Sequence, residues 1–149
     1  MDTTQQLNRD IEILLIEDNP ADARLVSLAL KGLGHPYRLK VVSNGVEALD
    51  FLKKRDQYFY ATLPDFILLD WRLPGVDGRE ILRQIRQDRD LTDIPVAVLS
   101  GLDADEMLTE AYVAGANVFV DKPVNLESFS RGLRQITETV ILKKFPGQE

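Results

Sequence analysis

Four apolar runs in this chain each end on a residue that can do chemistry. I-E-I-L-L-I (11–16) leads into Glu17-Asp18, F-I-L-L (66–69) into Asp70, P-V-A-V-L (95–99) into Ser100, and N-V-F-V (117–120) into Asp121-Lys122. A carboxylate at the end of a buried run costs free energy unless something pairs with it. Carboxylates from Glu17, Asp18 and Asp70 gathered in one crevice would repel one another, and such a cluster is tolerable mainly around a cation. All the candidate ligands are oxygens, with no thiol or imidazole nearby in sequence, which selects a hard ion and, in cytoplasm, Mg²⁺. Lys122 adds a fixed positive charge and Ser100 a hydroxyl donor. Acid, metal, lysine and hydroxyl together suit an incoming group with several anionic oxygens, such as a phosphoryl group.

These residues meet only if the runs that carry them lie side by side. Strands are expected at 11–16, 37–42, 65–70, 95–100 and 117–122. Between them stand helical patterns with readable starts. Asn19 and Pro20 open the first helix as N-cap and first helical residue, with Leu25, Leu28 and Ala29 on one face and Gly32 and Gly34 at its end. Asn44 and Glu47 have capping-box spacing before a second helix through Val46, Leu49, Phe51 and Leu52. A third starts near Asp77-Gly78 and carries Ile81, Leu82 and Ile85. Asp103 and Glu106 repeat the box before a fourth helix ending at Gly115, and a last helix begins near Asn125.

Strands alternating with helices argue for an α/β fold with helices on both faces of a parallel sheet. Strands one, three and four are nearly all apolar, as strands buried on both faces must be. The more polar second strand, Y-R-L-K-V-V, belongs at an edge. The expected architecture is a flavodoxin-like, doubly wound (βα)5 sheet of order 2-1-3-4-5. In such a sheet ligands sit beyond the carboxyl ends of the strands, at the switch between the first and third. The chemically able residues stand at those ends.

Composition agrees with one domain. The chain has 149 residues, 44% hydrophobic, with no cysteine and a net charge of −6. The size supports a proper core, and the missing thiols exclude disulfides and suit a reducing cytoplasm. An acidic balance argues against nucleic acid as the direct partner. No run approaches the roughly 18 apolar residues of a membrane span, and the polar first ten residues lack the core of a signal peptide. Residues 1–10 are expected to be flexible, 11–138 to form the domain, and 139–149 to extend the last helix into a tail.

The acidic pair E-D (17–18), the aspartate of L-L-D-W-R-L-P-G-V-D-G (68–78), the Ser100-Gly101 step and the K-P of 122–123 stand in an order that resembles the receiver domains of two-component response regulators. The resemblance covers residues 11 to 138, and the combination is far more specific than any fragment. It implies that Asp70 is the phosphoacceptor, attacking phosphorus to give an aspartyl phosphate. Asp18, Asp70 and the backbone carbonyl of Arg72 would hold Mg²⁺, with Glu17 acting through a bound water. Lys122 and the metal would stabilise the transferring oxygens, Ser100 would hydrogen-bond the phosphoryl group, and Lys122-Pro123 would be a cis peptide. Phe119 holds the position of a switch aromatic, three residues before the lysine; lacking a hydroxyl, it could switch only by packing.

No output domain is expected beyond the receiver, so the expected output is through protein contacts. The long connector with Y-F-Y (58–60), D-G-R-E-I-L (77–82) and the extended tail resemble the small receivers that partner bacterial phytochrome histidine kinases. Leu126, Phe129, Leu133, Ile136 and Val140 recur at heptad-like spacing. Val140, Ile141, Leu142 and Phe145 add apolar surface past the domain's usual end, which suggests a homodimer through the fourth helix, fifth strand and last helix. Rival readings fit less well. An FMN-binding protein of this fold needs a phosphate-cradling loop where E-D-N-P-A-D stands, and a dehalogenase-type phosphatase needs an acid where Arg72 stands. A degenerate receiver that signals by binding alone is the remaining alternative.

Overall fold

The computed structural model describes residues 9–100, 115–121 and 126–144. Its strands are β1 (Ile11–Ile16), β2 (Tyr37–Val42), β3 (Phe66–Asp70), β4 (Val96–Ser100) and β5 (Val118–Asp121), and its helices are α1 (Pro20–Leu30), α2 (Gly45–Leu52), α3 (Gly78–Gln87) and the last helix, α4 (Leu126–Lys144). The expected fourth helix, with Asp103 and Glu106, lies outside the described residues. The sheet order is β2-β1-β3-β4-β5, every pairing is parallel, and the chain therefore has the flavodoxin-like fold.

Side-chain alternation along each strand feeds two separate cores. Ile11, Ile13 and Leu15 of β1, Phe66 and Leu68 of β3, and Ala97 and Leu99 of β4 face one layer, where Val26 and Leu30 of α1 meet Phe129 and Leu133 of α4. Leu14 and Ile16, Ile67 and Leu69, and Val96 and Val98 face the other, against Leu49 and Leu52 of α2 and Ile81, Leu82 and Ile85 of α3. Continuous apolar runs are thus required, since every position of β3 and β4 is buried.

Local signals set the helix starts. The Asn19 side chain accepts from the amides of Ala21 and Asp22, at 2.9 and 3.3 Å. Asn44 accepts from the Glu47 amide at 2.8 Å and Asp77 from the Glu80 amide at 3.0 Å. The Glu47 carboxylate turns away from its box and accepts from the Tyr58 hydroxyl at 2.6 Å, tying the connector to α2.

Three expectations about faces change. On α1 the buried stripe is Val26, Ala29 and Leu30, while Leu28 is exposed. Val46 is exposed at the start of α2. Val140 and Ile141, expected on a free apolar end, are 7% and 5% exposed. They pack in the same layer as α1 and β1 because α4 runs on along α1. Of the expected tail surface only Leu142, 51% exposed, remains open among the described residues; Phe145 lies outside them.

Polar clamps close the amino-terminal edge of the sheet. Arg9 forms a two-pronged pair with Asp65 at 3.0 and 3.1 Å. Asp65 also accepts from the Glu12 amide at 2.8 Å, and the buried His35 ring nitrogen meets the Arg9 carbonyl at 3.1 Å. Across the sheet, Arg86 of α3 donates to the carbonyls of Gly115, Thr92 and Ile94 and to Asn117 Oδ1.

Candidate functional site

The parallel register brings the strand ends into line at the opposite edge. Ile16 pairs with Leu69, Asp70 with Leu99 and Ser100 with Asp121. Glu17 therefore leaves β1 beside Asp70, and its amide still donates to Val42 O at 3.0 Å. One carboxylate oxygen from each of Glu17, Asp18 and Asp70 lies within 4.8 Å of the others. The three acids expected to meet do meet.

Their surroundings differ. Glu17 and Asp70 are 2% and 4% exposed, and Ser100 is buried beside them at the end of β4; Asp18 is exposed, at the mouth. Backbone donors orient the buried pair. The Asn19 amide donates to Glu17 Oε2 at 3.3 Å and the Arg72 amide to Asp70 Oδ1 at 3.2 Å. A buried, all-oxygen set with one exposed member fits a hard divalent cation, because the acids' mutual repulsion is relieved by the ion they share. The sheet's one-sided gathering of charge leaves that crevice open to an anionic group only when the acids are neutralised.

The loop after β3 is tightly held. The Trp71 amide donates to Leu99 O at 3.0 Å and the Gly78 amide to Trp71 O at 3.2 Å. Trp71 is buried with the α2–α3 layer. Arg72 is exposed, while its amide faces Asp70. A methyl group at Gly78 would lie 2.8 Å from Trp71 Cα and 2.9 Å from the Asp70 carbonyl oxygen, and one at Gly45 would lie 2.4 Å from the Val76 carbonyl oxygen. Sequence reasoning read Gly78 only as a helix start and did not single out Gly45. A glycine at the first position of a helix, where better helix formers are available, was the signal.

Other expected site residues fall elsewhere. Phe119 lies in β5, its backbone in register with Val98. Lys122 and the Lys122-Pro123 peptide lie outside the described residues.

The profile of the family described as "Response regulator receiver domain" matches residues 13–134. The "Probable methanogenesis regulatory protein FilR2" of Methanothrix harundinacea is 40% identical over 126 residues, spanning 85% of this chain and 81% of that protein. "Response regulator Rcp1" of Synechocystis is 37% identical over 134 residues, 87% and 91% of the two chains. The crystal structure of Rcp1 in its Mn²⁺-bound form superposes with a TM-score of 0.78 at 35% identity, covering 86% of this chain and 92% of that one. The phosphorylated cyanobacterial phytochrome response regulator RcpA superposes with a TM-score of 0.83 at 36% identity, covering 89% and 95%.

Proposed function

Because the chain belongs to the response regulator receiver family, we propose that it takes a phosphoryl group from a sensor histidine kinase onto Asp70 and passes the signal on through protein contacts. The observation that carries this reading is the meeting of Glu17, Asp18 and Asp70 within 4.8 Å at the strand ends. In the transfer, an Asp70 carboxylate oxygen forms a bond to phosphorus as the bond from phosphorus to the donor imidazole nitrogen breaks. Asp18, Asp70 and the Arg72 carbonyl would hold Mg²⁺, with Glu17 acting through a bound water; the ion supplies neutralisation of the phosphoryl oxygens. Ser100, buried at the end of β4, donates to the transferred group, and Lys122 balances its charge. The domain takes part in its own phosphorylation and slow dephosphorylation, with signalling rather than turnover as its purpose.

The likeness to Rcp1 and RcpA supports a bacterial phytochrome as the kinase, and a cytoplasmic site of action. No helix among the described residues is long and apolar enough to cross a membrane. A homodimer through the fourth-helix segment, β5 and α4 belongs to the same reading, with Leu142 as the open apolar residue of α4. Val140 and Ile141 serve the protomer's own core instead.

Trp71 fluorescence tests the site. Mg²⁺ should change it, acetyl phosphate should change it further and reversibly, and intact mass should show one added phosphoryl group. Asp70→Asn should abolish the added mass. A wild-type chain that gains no mass from acetyl phosphate or a phosphorylated kinase would leave a receiver that acts by binding alone.

A further inference from the structure

We infer that Gly45, at the first turn of α2, is a positioning residue for the proposed metal and phosphoryl site: its bare backbone lets α2 press on Val76 and so fixes the loop that carries the Arg72 carbonyl. This rests on the reading of Glu17, Asp18 and Asp70 as a metal site, and it assigns a role to an element that contributes none of those carboxylates.

The contact leaves no room for a side chain. A methyl at Gly45 would lie 2.4 Å from the Val76 carbonyl oxygen, 2.7 Å from Val76 Cβ and 3.1 Å from its carbonyl carbon. Two of those atoms are backbone, so no rotamer change relieves the clash and the loop itself must move. Helix α2 cannot retreat cheaply, because Ala48, Leu49 and Leu52 are buried against the sheet and Asn44 anchors its first turn. On its other side the loop has equally little slack. Gly78 sits against the Trp71 backbone and the Asp70 carbonyl, and Trp71 is hydrogen-bonded to Leu99. The segment from Trp71 to Gly78 is thus gripped at both ends, by α3 and β4 at its base and by α2 at Val76. Arg72 lies within that grip, and its amide holds Asp70 Oδ1. A shift of Val76 is passed to the Arg72 carbonyl and to the orientation of the acceptor carboxylate.

The test compares Mg²⁺ binding, by calorimetry and Trp71 fluorescence, in wild type, Gly45→Ala, Val76→Gly and Ile85→Val. Val76→Gly loosens the same contact from the loop side and serves if Gly45→Ala does not fold. Ile85→Val trims the core of α3 and reports what lost stability alone does. Groups that orient metal ligands typically contribute about tenfold or more to affinity. Gly45→Ala and Val76→Gly are therefore expected to bind Mg²⁺ about tenfold more weakly and to exchange the Arg72 and Gly78 amide hydrogens faster without metal, while Ile85→Val keeps wild-type affinity. Wild-type affinity and unchanged exchange in both loop variants would overturn the inference, as would equal weakening in Ile85→Val. A wild-type chain that binds no Mg²⁺ would instead bring down the site reading beneath it.

Discussion

Asp70 is costly to the protein that keeps it. Its carboxylate is buried and shares a space of less than 5 Å with two others, roughly the range at which like charges raise each other's energy by a kcal/mol or more. Asp70→Asn keeps the shape and an oxygen acceptor for the Arg72 amide but removes one charge. Without divalent metal this variant should be more stable than wild type, by about 1 kcal/mol, and Mg²⁺ should raise its melting temperature less. Thermal melts with and without Mg²⁺ check both signs. Tyr58 offers a second test at this scale. Its hydrogen bond to Glu47, with burial and the nearby negative charge, pushes the phenol above its ordinary value of 10.0. The folded state therefore favours the protonated phenol. That contribution is complete below the ordinary value and fades as pH rises through the higher folded one. Urea unfolding at neutral and alkaline pH should show Tyr58→Phe less stable than wild type at neutral pH, with the gap closing as the phenol ionises.

At the scale of elements, caps and strand periods were legible in the sequence because they are local. Asn19 and Asn44 cap the helices they were expected to cap, Asp77 caps the helix expected to start near it, and Asn44→Ala should cost about 1 kcal/mol in urea unfolding. What sequence did not reveal was set by neighbours distant along the chain. The stretch R-L-V-S-L-A-L in α1 offers apolar residues in several phases, and contact with α4 selects Val26, Ala29 and Leu30 rather than Leu25 and Leu28. The same contact buries Val140 and Ile141, which looked like a free end because the partner helix lies more than a hundred residues earlier. Val140→Ala should therefore destabilise the protomer itself, by about 2 kcal/mol, at protein concentrations where solution mass is that of a monomer. The site acids were readable from their strand-end positions. The crowding at Gly45 and Gly78 was not, since it depends on how closely helices approach the loop.

On the scale of the whole molecule, parallel pairing sorts the chemistry by edge. The acids gather where strands end, and the clamps of Arg9, Asp65 and Arg86 gather where they begin. Arg86 is drawn out of water, and burial lowers its affinity for its proton; four acceptors offset that cost. Arg86→Ala would orphan several of them and should lower stability by about 2–4 kcal/mol, measured by urea unfolding, while leaving Mg²⁺ affinity within twofold of wild type.

The apolar run of β3 is flanked by two aspartates, Asp65 just before the strand in a clamp and Asp70 at its end in the crevice, five residues or roughly 17 Å apart. At that spacing, changes at the two ends should add rather than couple. The fold therefore offers two independent dials. Reinforcing the Arg9–Asp65 edge can make the chain hardier without altering how long a phosphoryl group stays on it, and retuning that lifetime need not make the chain more fragile.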